Sequence, residues 1–574
     1  MKSYQNLQLQ KRRISYLLIL IALITLAIIC RLIQFQVLEN KTYADAAKGQ
    51  HWSEYEIKPK RGTIYVKDKD GSLYPLATNI TLNKVFVDLV NSKDQNKMAE
   101  NLANILNMKK EDILNLFKTS ESKRYIPIKR KISGQETMAL QKLNDPAIGL
   151  EPEAWRVYPE NSLASQVLGY VNGDDNGIGG IEQYFNDFLK GTPGLYKAES
   201  DSLGNKILTG RDVSTPSRDG QDIALTINRD IQAQAEDVLA QAIKKYHAKG
   251  GTVIVMDPKT GAILAMANNP TYDPNNYNDI KDYSLFKNSA ISDVYEPGSI
   301  FKAITMASGL DAGKIEPDTT FVDTGGVTLD GYTIKNADRK AHGKVTMDYV
   351  LEQSLNTGST FVQRLLGKDL FYKYLVKFGF GVPTGIEAPS GTEVGGIVNK
   401  PENSNDHTYA TMSFGQSIAV TPLQMITAYA AIANGGKMME PYLLDGKVVN
   451  GQNVGGSDKK SGQQIISPEA ATKLTQMLID TVDHGEGHQA KVPGYKVAGK
   501  TGTAQVPDPK GGYYSGKDIG SFIGFAPAEN PRFVVLAKVD EPQGVAWAET
   551  TAAPIVGEML QRLLNYYEVP PTEK

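Results

Sequence analysis

The chain has 574 residues, with 62 Lys and Arg against 64 Asp and Glu and a formal net charge of −2. That length accommodates two or three domains with ample core, and the near-neutral balance implies no polyanion-binding role, nucleic acid included. The single cysteine, Cys30, excludes an internal disulfide.

Taken in order, Lys11-Arg12-Arg13 precede an uncharged apolar run that ends at Cys30, before Arg31. With Leu32 and Ile33 the run approaches the roughly 20 residues that span a bilayer, and Arg31 can snorkel. Positive charge in front predicts a cytoplasmic N-terminus with the rest of the chain outside. No small-x-small cleavage site follows, and Ile29 is not the small residue that lipoprotein processing of Cys30 needs. Residues 14–36 therefore read as an uncleaved signal anchor.

Beyond residue 37 the sequence turns mixed and polar. Arg61-Gly-Thr-Ile-Tyr-Val66 followed by Lys67-Asp-Lys-Asp-Gly71 reads as strand, turn and strand. Residues 98–117 carry Leu102, Ile105, Leu106, Ile113, Leu114 and Phe117 at helical spacing, as two short helices. Residues 172–180 read as a Gly-rich loop. Asp174 and Asp175 in it lack the spacing of a calcium loop. A composition shift at 213–220 marks a boundary. After it come a strand (222–227), a helix (229–247) and a hairpin (252–256 and 262–266) whose turn is Asp257-Pro-Lys-Thr-Gly261.

Tyr295-Glu-Pro-Gly-Ser299-Ile-Phe-Lys302 opens a helix-like run, so Ser299 and Lys302 share a face in its first turn. A serine hydroxyl becomes a nucleophile when a base takes its proton. Lysine can be that base if burial or positive charge lowers its pKa from about 10.4. Residues 346–361 read as helix, loop and helix, with Ser354-Leu-Asn356 at the turn. Residues 422–433 and 468–482 read as helices, and 445–462 as a mobile surface excursion. Lys496-Val-Ala-Gly-Lys500-Thr-Gly-Thr503-Ala-Gln505 reads as an edge strand, 521–526 and 533–539 as core strands, and 555–566 as the closing helix.

Ser-x-x-Lys, Ser-x-Asn and Lys-Thr-Gly in this order are the signature of penicillin-binding proteins and β-lactamases. The chain resembles the class B penicillin-binding proteins, monofunctional peptidoglycan DD-transpeptidases, over nearly its whole length. Arg61-Gly-Thr-Ile64, Arg156-Val-Tyr-Pro159 and Gly180-Ile-Glu-Gln-Tyr-Phe185 are similar to motifs of that family's non-catalytic region. The resemblance implies a multidomain α+β chain. A cytoplasmic tail (1–13) and a transmembrane anchor (14–36) would precede an elongated mixed α/β pedestal of the dimerisation type (37–215). A transpeptidase domain (216–568) would follow, with an antiparallel sheet flanked by helices as in serine β-lactamases, and then a short tail (569–574).

It also implies the roles of residues. Ser299 would attack a carbonyl with Lys302 as base, Ser354 would relay the proton to the leaving amine, and Asn356 would hold Lys302 and the substrate amide. Lys500, with the Thr501 and Thr503 hydroxyls beside Gly502, would hold a substrate carboxylate. Phe414-Gly-Gln416 would border the cleft, and the backbone N–H groups of Ser299 and Thr503 would form the oxyanion hole. The implied substrates are stem peptides ending in D-Ala-D-Ala, and β-lactams would trap Ser299. The implied partners are the membrane, a polytopic glycosyltransferase of the shape, elongation, division and sporulation family, and other division proteins. The Gly180-Ile-Glu182 segment and the chain length resemble the cell-division, FtsI-like subgroup.

No cofactor is implied. His484 and His488 have helical zinc spacing, but Gly485 and Gly487 make the segment loop-like and a third ligand is lacking. The alternatives are a β-lactamase or DD-carboxypeptidase handing the acyl group to water, or a non-catalytic β-lactam sensor. Glu352-Gln-Ser-Leu-Asn356 matches a class A β-lactamase pattern, but here it overlaps Ser354 and Asn356 themselves. The acceptor amine, diaminopimelate or lysine, is not written in these residues.

Overall fold

A computed structural model of the chain describes residues 2–41, 52–199, 212–455, 462–545 and 547–573. It forms two compact units, Met1–Pro59 with Gly191–Asp219, and Lys60–Lys190 with Gly220–Lys574.

In the first unit the apolar run lies in the helix Lys2–Ile33, continued by a wider turn over Gln34–Leu38. Residues Lys11–Leu38 are long and apolar enough to cross a membrane, and none of the most apolar stretch is buried against protein. A three-stranded antiparallel sheet, Trp52–Ile57 beside Gly194–Glu199 beside Asp212–Thr215, completes this unit.

The second unit is built on two sheets. One runs Gln452–Val454, Leu444–Val449, Asp222–Asn228, Ile64–Lys67, Leu73–Val87 and Ile126–Ile132, with Ile148–Val157 also pairing with Leu73–Val87. The parallel pairing of Ile64–Lys67 with Asp222–Asn228 sews the segment before residue 190 to the segment after 220. Residues 445–454, expected to be a mobile excursion, are instead the hairpin at one end of this sheet. Residues 456–461 of that stretch lie outside the described residues. The helices Gln95–Leu106 and Lys110–Thr119 pack Met98, Leu102, Ile113 and Phe117 onto Val85, Val87 and Ile126, as their apolar spacing requires.

The other sheet is antiparallel, in the order Ile263–Asn269, Gly250–Met256, Phe533–Asp540, Tyr513–Ala526, Ala498–Pro507. The central residues of its strands are buried on both faces, so period-2 alternation divides their side chains between two cores. Val253, Val255, Val535 and Ala537 join the core under the helices Arg229–Tyr246 and Ala548–Tyr566. Ile254, Met256, Val534 and Leu536 face the core that holds Lys302–Asp311 and Pro422–Ala433. Ala498–Pro507 is left as an edge, flanked by the turn that carries Ser299.

Arg61 is not a surface arginine. It is 4% exposed, and its Nε lies 2.8 Å from Glu182 Oε2. Arg156 Nε donates to the other carboxylate oxygen at 2.7 Å, and Tyr158 Oη lies 3.3 Å from it. Three sequence motifs thus close on one fully buried glutamate.

Candidate active site

Pro297 and Gly298 set the chain into a tight turn, Gly298–Phe301, that runs straight into the helix Lys302–Asp311. Gly298 has φ +59°, and a Cβ there would stand 2.7 Å from the Thr503 carbonyl oxygen, so glycine answers both the turn and the approach of the edge strand. Residues 297–310 are buried except Ser299, which is half-buried and lines an open cleft. One hydroxyl is left accessible at the start of an otherwise sealed helix.

Lys302 lies on the inner side of that turn with 0% exposure. Its Nζ donates to the Ser354 carbonyl oxygen and, at 3.1 Å, to Ser354 Oγ. Ser354 falls between the helices Met347–Glu352 and Asn356–Lys377 with φ +55°. A left-handed serine costs of order 1 kcal/mol, and this conformation goes with both Ser354 oxygens facing Lys302. Of the two contacts expected of Asn356, the one to Lys302 is not made among the described residues. Its Nδ2 donates to the Lys335 carbonyl at 2.9 Å, because the extended hairpin Gly326–Leu329 with Tyr332–Lys335 comes beside it, and among the described residues Lys302 is held by Ser354 alone.

The third element is the edge strand. Lys500 is also 0% exposed; its Nζ lies 3.1 Å from Thr501 Oγ1 and 3.6 Å from Glu486 Oε2, and Thr501 Oγ1 donates to that same carboxylate at 3.2 Å. Thr503 Oγ1 accepts from the Ala548 N–H at 3.1 Å, which caps the start of the helix Ala548–Tyr566. A Cβ on Gly502 would fall 2.7 Å from the Pro297 carbonyl oxygen and 2.8 Å from Ser521 Oγ. This glycine lets the strand lie flush against the serine turn. The Gly298 N–H donates to the Gly415 carbonyl, and Glu296 accepts from the Ser417 N–H at 2.8 Å, so the segment with Gln416 is tied to the same turn.

These pieces enclose a cleft of about 400 Å³ lined by Ser299, Ser354, Asn356, Gln416, Thr501 and Thr503, together with Glu486, Gln505, Asp518 and Trp547. Burial lowers the Lys302 pKa well below its ordinary value, the positive charge of Lys500 lowers it further, and Glu486 opposes both. Burial also lowers Lys500, with Glu486 again opposing. The cleft thus joins a lysine biased toward the neutral form, an accessible hydroxyl and a second buried amine, the parts that acyl transfer to serine requires.

Sequence reasoning missed Glu486, Asp518 and Trp547. Glu486 sits in the loop after Pro468–His484, between the two glycines that disfavoured a helical zinc pair; His488 meets Glu549 at 2.9 Å instead. Glu352, of the β-lactamase-like pattern, is not among the residues lining the cleft. No sequence signal marked Glu486.

Residues 251–561 match the Penicillin binding protein transpeptidase domain, and residues 56–225 the Penicillin-binding Protein dimerisation domain. Stage V sporulation protein D of Bacillus subtilis is 34% identical over 98% of this chain and 86% of its own length. Peptidoglycan D,D-transpeptidase FtsI of Escherichia coli is 28% identical over 90% of this chain and 85% of its own. Among solved structures, Penicillin Binding Protein 2X of Streptococcus thermophilus superposes with a TM-score of 0.75 at 25% identity, covering 90% of this chain and 81% of that one. Two family domains in series and relatives along nearly the full length leave one conclusion: the chain belongs to the class B penicillin-binding proteins, the β-lactam-binding peptidoglycan D,D-transpeptidases.

Proposed function

We propose that Ser299 is the acylated nucleophile and Lys302 its general base. Neutral Lys302 takes the hydroxyl proton as Ser299 Oγ attacks the carbonyl of the penultimate D-Ala. The N–H groups of Ser299 and Thr503 hold the oxyanion, and loss of one such donor typically lowers the rate about 100- to 1000-fold. Lys302 passes the proton through Ser354 Oγ to the departing amine of the terminal D-Ala, whose carboxylate Lys500, Thr501 and Thr503 hold. An amine of a neighbouring stem then attacks the acyl–serine ester, gives its proton back through the same pair, and leaves as the crosslinked amide. Asn356 and Gln416 bind the peptide amides. The observation that carries this reading is the fully buried Lys302 whose only described partners are the two oxygens of Ser354.

In this reading residues 37–215 are the non-catalytic pedestal and 216–568 the transpeptidase domain. Lys11-Arg12-Arg13 keep the N-terminus in the cytoplasm, with the catalytic cleft on the far side of the membrane. Glycan polymerisation comes from a polytopic membrane glycosyltransferase. The work is septal, a reading that the similarity to FtsI relatives supports. The 34% identity to a sporulation protein favours a second setting, wall synthesis during spore formation.

The test is acylation of the full chain and of Ser299→Ala by a fluorescent penicillin, followed by mass. A one-to-one adduct that persists for hours and is absent in the variant is expected. Rapid turnover of the drug would instead identify a hydrolase, and an adduct retained in Ser299→Ala would remove the serine from its role.

A further inference from the structure

Two carboxylates line the cleft, Glu486 and Asp518, and they differ in what they touch. Glu486 is committed to Lys500 and Thr501. The Asp518 carboxylate has no hydrogen bond or ion pair among the described residues; the neighbouring Lys517 pairs with Glu541, not with it. Asp518 nonetheless lies partly buried, and that burial raises its pKa. A half-desolvated carboxylate without a partner gains most from a cation brought by a ligand.

Its place on the sheet says which cation. Alternate residues of the edge strand, Thr501, Thr503 and Gln505, all line the cleft, as period 2 demands. Asp518 is the direct cross-strand partner of Gln505 and projects on the same face. From Thr501 to Gln505 is about 13 Å of strand at ~3.3 Å per residue. A peptide laid along this edge with its terminal carboxylate at Lys500 and Thr501 has the residue two positions earlier about 7 Å along the strand. Asp518 stands on the strand behind the edge, two strand spacings from such a peptide, so the separation is about 12 Å, the combined reach of an extended four-carbon ammonium side chain and the aspartate.

We infer that Asp518 is a specificity residue that binds the ammonium on the side chain of the diamino acid two positions before the terminal carboxylate of the donor stem. The inference rests on the acyl-transfer reading above, with the carboxylate end of the donor at Lys500. Asp518 touches no reacting atom. It selects donors that carry a free amine at that position over donors whose amine is already acylated.

The experiment measures kcat/KM for D-Ala release by the full chain from two peptides, Nα-acetyl-Lys-D-Ala-D-Ala with a free ε-amine and its Nε-acetyl derivative. The wild type is expected to prefer the free amine about tenfold, the size of one charge-assisted contact at a half-buried site. Asp518→Asn is expected to bring the ratio to about one, Asp518→Lys to invert it, and Asp518→Glu to restore much of it. Because the readout is a ratio between two substrates on one sample, a fall in the folded fraction cancels. An equal kcat/KM for both peptides in the wild type, or a preference retained in Asp518→Asn, overturns the inference while leaving acyl transfer intact. No D-Ala release from either peptide and no penicillin adduct on Ser299 overturns the acyl-transfer reading, and this inference with it.

Discussion

Replacing Glu182 by alanine should be among the most destabilising single changes outside the cleft. Its side chain is 0% exposed and neutralises two arginines whose side chains are 2% and 4% exposed, Arg61 at 2.8 Å and Arg156 at 2.7 Å. Water cannot replace it on either arginine. Breaking a buried pair by removing one partner leaves an uncompensated charge and destabilises by about 3–5 kcal/mol. Arg61 keeps the Asn186 side chain and the Glu182 carbonyl, and Arg156 keeps the Gly62 carbonyl, so the lower half of that range is the better figure. With a urea m-value of about 5 kcal/mol per M for a unit of this size, the midpoint should fall by roughly 0.6–0.8 M. Urea unfolding followed by tryptophan fluorescence reads this directly, because Trp155 adjoins Arg156 and stacks under Arg130 at 5.0 Å. Glu182→Gln, which keeps one acceptor oxygen, should fall between alanine and the wild type. None of these residues lines the cleft, so the acylation rate of folded molecules should not change. A midpoint shift under about 0.3 M for Glu182→Ala would show that the arginines find other partners, and would refute the idea that one glutamate closes the three motifs.

Two changes in the cleft test the geometry of catalysis. Gly502→Ala places a methyl group 2.7 Å from the Pro297 carbonyl oxygen, so the edge strand must retreat from the serine turn; a shift near 1 Å should slow penicillin acylation about 100-fold, and stopped-flow acylation at the wild-type rate would refute the close fit. The acylation rate should rise with pH through the lowered pKa of Lys302, since the lysine is no base while protonated. Lys500→Gln removes a positive charge and should move that limb to higher pH, whereas Glu486→Gln removes the opposing carboxylate and should move it to lower pH. Acylation profiles between about pH 5 and pH 10 check both signs, and limbs that coincide in all three proteins would detach the lysine pair from the rate.

How far the site was legible follows from where each motif sits. Ser299 at a helix start, Ser354 at a break between helices and Lys500 on an edge strand all obey local rules, and each was placed from a few neighbouring residues. Their convergence came from the order of the motifs, through the resemblance. The remainder depends on partners far along the chain. Glu182 meets Arg61 across 121 residues. The hairpin at 444–454 looked like an excursion because its partner strand lies more than 200 residues upstream. Asn356 was expected on Lys302, but its Nδ2 donates to the Lys335 carbonyl of a small hairpin unmarked in the sequence. Glu486 was concealed by its glycine neighbours, and Asp518 by a strand register that only the fold reveals.

In the proposed mechanism the burial of Lys302 and Lys500 joins stability to catalysis. A lysine whose folded pKa lies below its unfolded value of 10.5 binds fewer protons folded than unfolded between those two values. Its burial therefore weighs on the fold most below the lowered value, less as pH rises toward 10.5, and not at all above it. The fold tolerates two such residues in one cleft because Ser354 accepts from the first and Glu486 and Thr501 attend the second. A methionine at 302 would remove that penalty and, with it, the only described amine bonded to Ser354. Lys302→Met should thus raise the urea midpoint while abolishing acylation, and a midpoint that fell with activity would mean that the lysine helps hold the cleft together as well as serving as its base.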